Sequence, residues 1–160
     1  MKVLVAGVGN ISLGDDGFGV EVVRQLAAQG LPEHVELLDV GIRGMHLAYR
    51  LLDGYELLIA IDLIARGGEP GTLYVVEPDV NVAPARADAH SIDLPSVFAQ
   101  VRALGGTLGR VLVVGCEPAE LDERMGLSAA VAAAVEPAAR RVRQLAEGAV
   151  NDETTNQLRI

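Results

Sequence analysis

The sequence contains a single cysteine, Cys116, among 160 residues. That excludes an internal disulfide and any zinc site built from several cysteines. Tryptophan is absent, and there are only two phenylalanines and three tyrosines. A core must therefore be assembled from Val, Leu, Ile and Ala. No apolar stretch is long enough to span a membrane. No basic run is present, and the net charge is −9, which speaks against a nucleic-acid partner and a polyanionic ligand. A cation or a basic peptide is compatible with that charge. Met1-Lys2 leads straight into a short apolar run and then glycines, so the expectation is a cytoplasmic protein without a signal peptide.

What remains is a pattern of short apolar runs alternating with amphipathic segments. Lys2–Ala6, Leu57–Ile61 and Val111–Cys116 are continuous apolar runs that read as buried strands, and Val35–Val40, with Asp39 near its end, is a further strand-like run. Phe18–Gln29, about Met45–Leu52, Leu94–Leu104 and Leu127–Leu145 read as helices, the last with Pro137 as a kink or break. Such alternation predicts a three-layer α/β domain with a mostly parallel sheet and helices on both faces. One connection departs from it. Leu63–Gly71 has only nine residues, two adjacent glycines and a proline, too few for a crossover helix. The strand that follows, Thr72–Val76, is therefore expected to pair antiparallel at a sheet edge. Pro78–Asp93 shows no period and reads as a long functional loop. A single domain over residues 1–147 is expected, followed by a polar, frayed tail over 148–160.

In such sheets ligands bind beyond the carboxyl ends of the strands. The first of these loops, within "GVGNISLGDDGFGV", has five glycines between Gly7 and Gly19. It is not a dinucleotide fingerprint: Gly7 and Gly9 fit, but the sixth position is Ser12, and Asp15 and Asp16 occupy the helix start where phosphate would bind. A nucleotide-binding Rossmann-like module is the weaker alternative. One Asp there is accounted for as a helix N-cap; two are not. Asp16, Asp39 and Asp62 lie at strand ends, and Asp62 closes "LLIAID" on a strand buried on both faces. A carboxylate so placed needs a metal, a cation or backbone N–H groups. His90 lies in the long loop, with nothing local to single it out; His34 and His46 read as surface histidines. Two carboxylates and one imidazole would leave a cation with open positions for water or substrate. Serine chemistry is disfavoured, since no G-x-S-x-G occurs. Cys116 in "VVGCEP" reads as a buried apolar residue, its thiol pushed up by the neighbouring Glu117.

Taken in order, "GVGNISLGDDGFGV", "ELLDVG", Gly44-Met45, "LLIAID", "PGTLYVVEPD" and "HSIDLPSVF" resemble the hydrogenase maturation endopeptidases, from Met1 to about Leu145. The resemblance implies a twisted mixed five-stranded sheet between helices. It implies an endopeptidase that removes a C-terminal peptide from a [NiFe]-hydrogenase large-subunit precursor after nickel insertion. The family's metal-binding positions fall on Asp16, Asp62 and His90. These would be both metal ligands and catalytic residues, with nickel supplied by the precursor and other divalent cations able to substitute. Nickel would polarise the scissile carbonyl or activate water; alternatively, one carboxylate would act as general base. Asp15 would then cap the helix or orient its neighbour. Gly7, Gly9, Asn10, Asp39, Gly41, Arg43 and Gly44 would line the substrate cleft, and Gly7, Gly9, Gly17 and Gly19 would let the loop pass close to substrate without a Cβ in the way. The chain departs from the family in having Asp rather than Glu at 16 in comparison with several members, "VGIRGM" after Asp39, and "GCEPAEL" after the last strand. A docking factor that binds the precursor without cutting is the alternative with the same ligands. A monomer is expected, since neither the first nor the last helix carries a second apolar stripe.

Overall fold

The computed structural model describes residues 1–81, 94–119 and 125–148. Strand β1 is Val3–Val8; a 3-10 turn at Gly14–Gly17 leads into helix α1, Phe18–Gln29. Then come β2 (Val35–Gly41), α2 (Gly44–Leu51), β3 (Leu57–Leu63), β4 (Leu73–Val76), α3 (Leu94–Ala103), β5 (Arg110–Cys116) and α4 (Ala129–Glu147).

The strands form one five-stranded sheet in the order β2-β1-β3-β5-β4. Four are parallel, and β4 runs antiparallel to β5. The short connection after β3 thus sends the chain past the place of β5 to the sheet edge, where it turns back. Helix α3 then supplies the crossover that returns β5 parallel to β3.

The pleat sorts the side chains between the two faces. Val3, Val5, Leu57, Ile59, Ile61, Leu112 and Val114 pack with α1 and α4. Their alternates, Leu4, Ala6, Leu58, Ala60, Val111 and Val113, pack with α2 and α3. Strands buried on both sides have no polar alternation, which is why they read as unbroken apolar runs. Phe18 and Phe98, the only phenylalanines, are buried one on each face.

Two expectations are corrected. Helix α4 does not break at Pro137 but runs through it. The bond that proline forfeits would have gone to the carbonyl of Ala133, on the exposed side, while Ala134, Val135, Ala138 and Ala139 are buried. Packing along that stripe outweighs one missing bond. Strand β3 also runs further than its apolar run, so Asp62 is paired within it, opposite Gly115 of β5. Residues 149–160 lie outside the described residues, as does most of the loop before α3. Among the described residues no helix is long and apolar enough to cross a membrane.

Candidate active site

The strand order reverses direction around β1: the chain moves first to β2 on one side, then to β3 on the other. The crevice above β1 and β3 is therefore the switch point at which an open α/β sheet binds ligands. Asp16, in the loop after β1, and Asp62, at the end of β3, lie on its two sides.

The loop is held by short bonds. The Gly9 N–H donates to the Gly41 carbonyl at 2.9 Å, tying it to the end of β2. The Ser12 N–H donates to the side-chain oxygen of Asn10, and the Asn10 N–H to the Asp16 carboxylate, both at 2.9 Å. Gly9 has φ +130°, and a Cβ there would collide with the Asp16 backbone. Gly19 lets α1 press against the carbonyls of Val8 and Ile61, and Gly7 is buried against Gly19. The missing side chains of Gly7 and Gly19 thus make room for the chain itself, where the sequence suggested room for substrate. The close packing of α1 on β1 and β3 is what brings the two strand ends and their carboxylates together.

The electrostatics reflect that closeness. Burial raises the Asp16 carboxyl above its ordinary value, against the opposing effect of the Asn10 N–H. Asp62 is pushed up to about 7, chiefly by burial; the Leu63 N–H, donating at 2.8 Å, opposes this, and the negative charge of Asp16 adds to it. Two carboxylates that resist ionisation beside one another fit a cation, which would relieve both burial and repulsion. Among the described residues no third Asp, Glu, His or Cys completes a metal cluster with them. His90 lies outside the described residues.

Two depressions flank the pair. One of about 330 Å³ is lined by Gly9, Asn10, Asp39, Gly41, Ile42 and Arg43. It brings together most of the residues expected at the cleft. Gly44 is the first residue of α2 beside it, and Asp39 and Arg43 are exposed. The other, about 310 Å³, lies over β3 and β5 and is lined by Asp62, Leu63, Arg66, Leu94 and Phe98.

Asp15 and Asp16 have separate tasks. Neither caps a helix of its own: the residues preceding the 3-10 turn and α1 are Leu13 and Gly17, with no side-chain cap bond. Asp15 is fully buried and points the other way. Its carboxylate accepts from the Ala119 N–H at 2.7 Å, the Ser128 N–H at 2.7 Å and the Ser128 hydroxyl at 3.0 Å. Ser128 is itself the N-cap of α4. Asp15 thus fastens the segment after β5 to the loop that carries Asp16.

Glu117 does the same beside Asp62. Buried at the end of β5, it accepts from the Arg66 and Gly68 N–H groups, each at 2.8 Å, and from the Tyr74 hydroxyl at 2.7 Å. These bonds, led by that from Arg66, hold its carboxyl below the usual range. They anchor the nine-residue connection that follows Asp62. In the sequence, the signal for Glu117 is an acid directly after a buried strand. Cys116 is buried and its thiol is raised to about 11, first by burial and then by the charges of Asp15 and Glu117. It has no character of a nucleophile.

Comparison with known proteins agrees with this fold. A family model described as hydrogenase maturation protease matches residues 20–145. The hydrogenase 2 maturation protease of Escherichia coli K12 is 33% identical over 147 residues, covering 89% of this chain and 88% of that protein. The solved hydrogenase maturating endopeptidase HybD from E. coli superposes with a TM-score of 0.79 at 32% identity, over 95% of this chain and 94% of that one. A hydrogenase 2 maturation peptidase from a Thaumarchaeota archaeon gives a TM-score of 0.70 at 33% identity, over 92% and 99% of the two chains.

Proposed function

This chain belongs to the hydrogenase maturation protease family, and from that premise we propose that it removes the C-terminal peptide from a [NiFe]-hydrogenase large-subunit precursor, recognising nickel already seated there. It is a peptide hydrolase by family; the precursor, the nickel and the position of the cut are the proposal. The observation that carries it is the pair of carboxylates at the switch point, Asp16 and Asp62, both held above their ordinary range. Such a pair asks for a cation, and the cleft beside it is open enough for an extended peptide. His90 is proposed as the third ligand.

The nickel, as part of the substrate, supplies a Lewis acid next to the scissile bond. The chain's own residues do the rest. The loop from Gly9 to Asp16 and the end of β3 hold the carboxylates on either side of the incoming peptide. One of the two carboxylates takes a proton from an attacking water, and Asp15 and Glu117 keep both supporting loops in place. Requiring nickel before docking would make cleavage a checkpoint on metal insertion. The enzyme acts as a cytoplasmic monomer.

The test is the intact mass of a nickel-loaded precursor before and after incubation. A C-terminal fragment should be lost with the wild-type chain. It should be retained with Asp16→Ala, with His90→Ala, and when nickel is omitted. Cleavage by the Asp16 variant, or of nickel-free precursor, would overturn the ligand assignment. A stable complex with no cleavage would make the chain a docking factor.

A further inference from the structure

Seven large apolar side chains are exposed among the described residues, and four of them fall within one stretch: Ile42, Met45, Tyr49 and Leu52, between 37% and 56% exposed. The clustering is geometric as well as sequential. Met45, Tyr49 and Leu52 are spaced i, i+4, i+7, which places them on one face along α2 and its C-cap. The buried face of the same helix is Leu47, Ala48 and Leu51, which pack under it onto the sheet. Helix α2 is therefore apolar on two sides. Isolated exposed apolar residues need no explanation, but a contiguous stripe does.

The stripe has a definite place. It begins at Ile42, which also lines the 330 Å³ cleft beside Asp16, and Arg43 sits at the same rim. Arg43 is exposed and forms no ion pair among the described residues. Arg50, on the flank of the helix, is instead committed to Glu36 and Tyr55. An apolar strip with one unpaired cation at its cleft end fits a protein surface that is apolar and bordered by carboxylates. A second copy of this chain fits poorly: it would cover the cleft mouth, and each copy carries a net charge of −9.

We propose that the outer face of α2, from Ile42 through Met45 and Tyr49 to Leu52, is the surface on which the folded precursor docks. This rests on the function proposed above. The scissile peptide enters the cleft while the body of the precursor lies along the stripe. Part of the binding energy is thus gathered away from the reacting bond, where it can select a folded protein over a free peptide.

The experiment is steady-state processing of the nickel-loaded precursor by wild type and by a Met45→Gln/Tyr49→Gln double variant. Both positions are exposed and glutamine is a good helix former, so the melting temperature should not change. The variant should raise KM by about tenfold or more, as loss of interface anchors does, with kcat unchanged. An unchanged KM, with wild type active, would overturn the docking surface and leave the proposed function standing. A wild type that neither binds nor cuts the precursor would overturn both. Sedimentation of the two proteins completes the test: a wild-type dimer that the variant dissociates would assign the stripe to self-association and overturn the proposal.

Discussion

Replacing Asp15 by alanine removes a fully buried carboxylate and, among the described residues, leaves the Ala119 N–H, the Ser128 N–H and the Ser128 hydroxyl facing its place. Ala119 is exposed and its N–H can turn to water. The Ser128 hydroxyl can rotate, but the Ser128 N–H, in a buried residue, has no such recourse. A stranded buried donor costs about 1–3 kcal/mol, and a bond to a charged acceptor is worth about 1.5–3 kcal/mol. Removing the carboxylate also ends its own cost of burial, which sets a ceiling on the loss. The expected destabilisation is about 3 kcal/mol, which for a chain of this length lowers the melting temperature by roughly 6–12 °C. Asp15→Asn should fall between the two, because the amide keeps one acceptor but turns an NH2 toward a donor. Thermal unfolding of the three proteins in one buffer is the assay. Asp16→Ala, whose carboxylate is only partly buried and bonded once, should abolish processing with little change in melting temperature. The opposite ranking, with Asp15→Ala as stable as wild type and Asp16→Ala strongly destabilised, would refute the division of labour between the two aspartates.

Three further outcomes follow from the site. Asp62 binds its proton more tightly when folded, at about 7 against an ordinary 3.8, so its ionisation opposes folding: the stability carried by that proton is complete below about pH 4 and lost as pH rises through 7. Asp62→Asn should therefore be inactive yet more stable than wild type at pH 8, with the gain vanishing toward pH 4; a gain independent of pH would contradict the burial argument. Cys116→Ala should process precursor at the wild-type rate and lose about 1 kcal/mol from a small cavity, whereas a folded but inactive variant would show that the thiol takes part. Glu117→Ala removes the one carboxylate oxygen that accepts all three bonds, so hydrogen exchange at the Arg66 and Gly68 amides should accelerate while Ala119, held by Asp15, stays protected. Unchanged exchange at Arg66 would mean that something other than Glu117 anchors the loop.

Much of the architecture was legible along the chain because its causes are local. Three unbroken apolar runs, those of β1, β3 and β5, specify strands buried on two faces. A connection of nine residues cannot hold a helix, so the edge strand had to turn back. Asp62 stood out because a carboxylate closing such a run must find a partner. The other decisions depend on residues distant in sequence and were settled by folding. Whether Asp15 or Asp16 faces the cleft is decided by Ser128, more than a hundred positions away, which claims Asp15 from within the core. Glu117 became the anchor of a loop some fifty residues earlier, a role no local pattern announces. Several glycines of the first loop are needed because α1 lies against β1 and β3, a distance set only once the sheet is assembled. The second apolar stripe of α2 becomes visible only when the tertiary structure shows which face of the helix the sheet has already taken. Periodicity reports which side chains share a face; only packing decides which face is covered and which carboxylate remains free to meet a substrate.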